Sequence, residues 1–131
     1  MIKQVAIVGQ TRDRGQLFLD WFTETRKNDV KTICKNINRS EIILNNGDLY
    51  RNIPANDSSR GCRFHQVFIE MGTNQDVVNY IVRPFLMEHD NVNEEDMIIY
   101  FFIDKDKYYF YRPIYGREYY ENIGISINSI K

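Results

Sequence analysis

The stretch that decides the fold is "VAIVGQTRDRGQLFLDWF", residues 5–22. It opens with a short, β-branched apolar run, which predicts a buried strand ended by Gly9. A polar loop follows, and Thr11 or Asp13 is placed to cap a helix, with Asp13-x-x-Gln16 as a variant capping box. Leu17, Phe18, Trp21 and Phe22 then fall on one helical stripe. Strand, glycine-bounded loop and helix are the layout of a phosphate-binding loop. The Walker A pattern, however, is G-x4-G-K-[ST]. Here Gly9 and Gly15 are spaced G-x5-G, and Gln16-Leu17 stand where Lys-Ser/Thr belongs.

Outward from this stretch, "NDVKTICKN" (28–36) reads as a second strand. Asn46-Gly47 separates two β-like runs, 41–45 and 48–53, and predicts a hairpin. "CRFHQVFIE" (62–70) reads as a strand with Val67, Phe68 and Ile69 at its buried end. A helix follows, capped by Thr73, with Val77, Val78, Ile81, Phe85 and Leu86 on one face and a kink at Pro84. "EHDNVNEED" (88–96) is an acidic connection. "MIIYFFI" (97–103) is the most strand-like run, "DKDK" (104–107) turns it, and "YYFYRPI" (108–114) returns as its partner. "IGISI" (123–127) reads as a last short strand. Alternating strands and helices with added hairpins predict a single α/β domain over residues 1–131, a three-layer, partly parallel sheet.

Composition sets bounds. The 131 residues carry a net charge of -1, so global charge gives no argument for nucleic acid, and such a surface would have to be local. Two cysteines point to a reducing, cytoplasmic setting, and no run is long enough for a membrane helix.

At residues 41–86 the order of features becomes specific. A hairpin at Asn46-Gly47, a small-polar loop, the pair Arg60-Gly61, the strand "QVFIEMG", then "YIVRPFL" and "MIIYFFID", resembles the ATPase core of phage terminase large subunits and related helicase-type motors. In that family the hairpin has the form I-x-x-x-N-G-S, the apolar strand ends in Asp-Glu (Walker B), and the next strand couples hydrolysis to movement. The resemblance covers roughly residues 3–104. It implies a truncated RecA-like fold in a phage or prophage protein acting inside the host cell. Residues 5–22 align with the family's second strand and helix, "hhhhAPT-x-x-Q-A-x-x-hF", better than with its phosphate loop, so the phosphate loop is absent from this chain.

The departures bear on chemistry. ATP hydrolysis needs Mg2+, a lysine near the β/γ oxygens and a carboxylate to orient water. The lysine is missing, and the Walker B place reads Ile69-Glu70-Met71, leaving one carboxylate. No autonomous ATPase is expected. Glu70 is the single catalytic candidate, against a plain strand-end carboxylate. No cofactor is expected, with Mg2+ or a nucleotide as the alternative.

Arg12 and Arg14 at the helix start are candidates for holding a phosphate, against local ion pairs. Arg60 and Arg63 are candidates for nucleotide or DNA contact. Asp104 and Asp106 form a D-x-D that suits Mg2+ on a strand, against a charged hairpin tip. Cys62-x2-His65 is half a zinc site, which Cys34 and His89 would complete only if the fold brought them together.

Ten of the eighteen aromatics lie in 100–120, interleaved with Lys105, Lys107, Arg112 and Arg117. Tyr108, Tyr109, Tyr111, Arg112, Tyr115 and Arg117 are interface candidates, suited to single-stranded nucleic acid or to a protein. The expected function is a terminase-like or helicase-like protein that binds a partner: a motor subunit or host factor first, DNA second, no membrane. A small metal-dependent nuclease or phosphotransfer enzyme, and an unrelated interaction or inhibitor protein, are the alternatives.

Overall fold

A computed structural model describes residues 3–36, 40–53, 64–83, 98–105, 107–111 and 120–121. Its strands form one mixed sheet of eight in the order β2-β3-β4-β1-β5-β6-β7-β8. β1 is Gln4–Val8, β2 Val30–Lys35, β3 Ser40–Leu44, β4 Leu49–Asn52, β5 Gln66–Glu70, β6 Ile98–Asp104, β7 Lys107–Tyr111 and β8 Tyr120–Glu121. The four central strands, β4-β1-β5-β6, are parallel, and antiparallel strands extend both sides. The chain is α/β, as the alternation of elements predicts.

β1 shows why this happens. Val5 to Val8 are all fully buried, which a central strand with both faces covered requires. Val5 and Ile7 face helix α1 (Arg12–Thr25), together with Ile42, Phe68, Phe101 and Phe110. Ala6 and Val8 face the other way, towards Val78 and Val82. Both valines belong to the π-helical stretch Val78–Val82, which continues the short helix α2 (Gln75–Val77). One helical element therefore packs on each face.

Phe18 is the centre of the α1 face. Its ring lies 4.3 Å from that of Phe101, 5.2 Å from Tyr108 and 5.6 Å from Phe68, centroid to centroid. These are tilted or edge-on contacts of the kind the aromatic quadrupole favours. Trp21 adds a ring 4.6 Å from Tyr108. The helical stripe differs from the expected one at one position. Leu17 is 51% exposed and Leu19 is buried in its place, because the helix is rolled towards Ile42 on β3.

The hairpin at Asn46-Gly47 joins β3 to β4 as expected. Gly47 has φ 96, a conformation that costs glycine little, and Asn46 Oδ1 accepts from the Asp48 amide. Thr11, not Asp13, caps α1: its hydroxyl accepts from the Arg14 amide at 3.2 Å. The second helix is capped by Asn74 rather than Thr73. Asn74 Oδ1 accepts from the Asp76 amide, while the Thr73 hydroxyl donates to the Glu70 carbonyl. The expected strand at 123–127, the kink at Pro84 and the side chains of Ile81, Phe85 and Leu86 lie outside the described residues.

Candidate functional site

From β1 the chain passes through α1 and the β2–β3 hairpin to β4 on one side of β1. It then crosses to β5 on the other side. The direction of winding thus reverses between β1 and β5. In open α/β sheets the crevice beyond the carboxyl ends of the strands at such a point is where ligands sit. Gln10 and Glu70 occupy it.

Glu70 ends β5 and is almost fully buried, with 3% of its surface exposed. Its two oxygens are both used. Oε1 accepts from the Gln10 backbone amide at 2.8 Å, and Oε2 accepts from Arg14 Nε at 2.6 Å, with the Arg14 terminal nitrogen also paired to it. The guanidinium is itself partly exposed. Its pKa is raised, first by this hydrogen bond and then by the charge of Glu70. An amide beside a helix start and a guanidinium suit an oxyanion. Here the oxyanion is the chain's own carboxylate.

Gln10 closes the crevice further. Its Nε2 donates to the Met71 carbonyl at 2.6 Å, across to the loop after β5. Gly72 in that loop has φ +91, and a Cβ there would lie 2.5 Å from Gln10 Nε2. The loop after β1 and the loop after β5 are therefore joined by Gln10 through its backbone and its side chain, and by Arg14.

Gly9 and Gly15 have a packing role. A Cβ on Gly9 would lie 2.3 Å from the Gly15 nitrogen, and one on Gly15 would lie 2.2 Å from Asn52 Oδ1. Asn52, at the end of β4 and buried, donates from Nδ2 to the Arg12 carbonyl at 3.1 Å. The two glycines let α1 start hard against β1 and β4. Their spacing follows from that approach.

No protein-family model, curated protein or solved structure matches the chain. The site must be read from its own atoms.

Of the expected site residues, Glu70 and Arg14 come together. Arg14 faces a carboxylate, in line with the ion-pair reading of that loop. Arg12 is the first residue of α1 and is tied to β4 through its carbonyl. Arg60, Arg63, Asp106, Arg112, Tyr115 and Arg117 lie outside the described residues, as do Cys62 and His89. Asp104 is exposed and stands opposite Lys107 in the β6–β7 register, with Lys105 at φ 50 between them, which is a charged hairpin tip. Among the described residues no group of three or more His, Cys, Asp and Glu is placed to hold a metal ion. Cys34 on β2 cannot join His65 in a metal site. Four strand spacings of about 4.8 Å each separate β2 from β5. His65 is engaged already, its Nδ1 accepting from the Gln4 amide at 3.0 Å.

The aromatic region divides by face. Tyr108 is an interface candidate by sequence, but the residue is only 2% exposed, its ring packed against Phe18 and Trp21. That removes it from any surface. Burial pushes its pKa up to about 12, with Arg14 lowering it and Glu70 and Asp20 raising it. Tyr109 belongs to the opposite face, stacked on Phe102 at 5.2 Å and half-buried. Tyr111 pairs with Tyr100 in the β6–β7 register. No helix among the described residues is long and apolar enough to cross a membrane.

Sequence reasoning missed Gln10 and Asn52. The only signals they gave were a polar residue directly after the β1 glycine and a polar residue ending a strand.

Proposed function

We propose that this chain is a terminase-like or helicase-like protein of truncated RecA-like fold, without a phosphate loop, that works by binding a partner rather than by turning over ATP. One observation carries the reading. The lone Walker B-like carboxylate, Glu70, has one oxygen on the Gln10 amide and the other on Arg14. A carboxylate engaged through both oxygens by a backbone amide and a guanidinium is held in a structural pair, which supports binding without hydrolysis.

A protein is the first partner expected, a motor subunit or host factor, with DNA second. The half-buried pair Phe102–Tyr109 on the face opposite α1 supports a binding surface there, because aromatic rings on a rigid sheet offer contact area at little entropic cost.

Calorimetric titration of the full chain with Mg–ATP and with Mg–ADP tests the reading. No saturable heat is expected. Saturable binding of either nucleotide that is lost in Glu70→Gln would overturn it.

A further inference from the structure

The chain contains Asn-Gly once, at Asn46-Gly47 in the turn between β3 and β4. An asparagine in front of a glycine carries its own modification chemistry. Attack of the Gly47 backbone nitrogen on Asn46 Cγ closes an imide ring, and glycine has no side chain to shield that nitrogen. Water and hydroxide are the only co-reactants. Hydroxide takes the Gly47 amide proton, the bond from nitrogen to Cγ forms, and the Cγ–Nδ2 bond breaks. Nδ2 leaves as ammonia with a proton from water. A second water then opens the ring at either carbonyl and leaves aspartate or isoaspartate at position 46. Asn46 is exposed, so solvent reaches it.

The folded turn opposes each part of this reaction. The Gly47 amide donates to the Leu44 carbonyl at 2.9 Å and so keeps its proton. Asn46 Oδ1 accepts from the Asp48 amide at 2.9 Å, and Asn46 Nδ2 donates to Asp48 Oδ2 at 3.2 Å. The side-chain amide is thereby held towards Asp48. Asp48 is anchored in turn. Its Oδ1 accepts from the Lys3 amide at 2.9 Å, and the next amide, of Leu49, donates to the Lys3 carbonyl at 2.9 Å. The turn is therefore seated on the entry to β1, and Asn46 reacts when these bonds open.

We propose that Asn46 is a gated self-modification site, converted to aspartate or isoaspartate at a rate set by opening of the β3–β4 turn, and that the conversion weakens the fold. The amide that donates to Asp48 becomes a carboxylate beside the Asp48 carboxylate, and like charges repel. Isoaspartate also adds a methylene to the main chain, which disturbs the β3–β4 register. Either product loosens the hold of Asp48 on Lys3. The turn lies at the amino end of the parallel strands and Glu70 at their carboxyl end, so the proposal stands or falls independently of the reading of that site.

The test is peptide mapping by mass spectrometry of the full chain incubated at mildly alkaline pH, folded and in guanidinium chloride. Product at position 46 is expected in both, more slowly in the folded chain by about tenfold or more. Asp48→Ala should speed the reaction in the folded chain and leave the rate in denaturant unchanged. Asn46→Asp should melt cooperatively at a lower temperature than the wild type. Equal rates in the folded and denatured chain, no product in denaturant, a folded Asp48→Ala chain no faster than the wild type, or an Asn46→Asp chain as stable as the wild type would each overturn the proposal.

Discussion

Arg14 Nε donates to Glu70 Oε2 at 2.6 Å, joining the first turn of α1 to the last residue of β5. The two residues are 56 positions apart in sequence, and the bond ties together the two loops that flank the β1–β5 crevice. Removing Arg14 leaves a buried carboxylate that still accepts from the Gln10 amide but has lost its countercharge. Arg14→Ala is expected to destabilise the fold by about 1–2 kcal/mol, near the lower end for charge-assisted bonds because the guanidinium is partly in water. Glu70→Gln added to Arg14→Ala should recover part of that loss, since no buried charge then remains. Urea unfolding of the two single variants and the double variant measures the coupling. Strict additivity would contradict the pairing.

Gly15→Ala should destabilise, although alanine is the better helix former by about 1 kcal/mol. The added methyl meets Asn52 Oδ1 at 2.2 Å, and forcing a methyl into a filled site costs about 1–3 kcal/mol. Asn52→Ala in the same chain should relieve the clash. A thermal melt in which Gly15→Ala is more stable than the wild type would contradict the close approach of α1 to β4.

Phe18→Ala removes the ring that links α1 to Phe68, Phe101, Tyr108 and Phe110. The expected loss is about 3–5 kcal/mol. A small change in urea midpoint would mean that α1 is not seated on the sheet by this residue.

Tyr108 predicts an alkaline limb. Its pKa in the fold is about 12 against an ordinary 10.0. Between these values the unfolded chain has released the proton and the folded one has not. The folded state binds more protons, so stability falls as pH rises through that window and is fully present below it. Unfolding followed across pH 9 to 12 in wild type and Tyr108→Phe should show a steeper fall in the wild type. Parallel curves would contradict the burial of the hydroxyl.

What the sequence made legible is local. The continuous apolar run of β1, the Asn46-Gly47 turn and the run "MIIYFFI" each carry their structure within a few residues, and each is found where expected. Side-chain facing was harder to read. Leu17 and Leu19 both border the apolar stripe of α1, and only the roll of the helix against β3 decides between them. Tyr108 and Tyr109 are both aromatic, and strand alternation says that they part without saying which goes in. The candidate site was half legible: Glu70 and Arg14 were both singled out, but nothing in either segment indicates that they meet. That contact depends on β1 and β5 lying side by side, which is a property of the topology. Cys34 and His65 are the converse case: a zinc site built on Cys62-x2-His65 needed the fold to bring Cys34 to His65, and the strand order keeps these two apart.

The central claim is that the Glu70 carboxylate is committed to Arg14 and Gln10 and does no chemistry on a nucleotide. Phosphate release from Mg–ATP by the purified full chain, measured beside Glu70→Gln, tests it most directly. The account predicts the same background rate for both proteins. Turnover above background in the wild type that Glu70→Gln abolishes would contradict it.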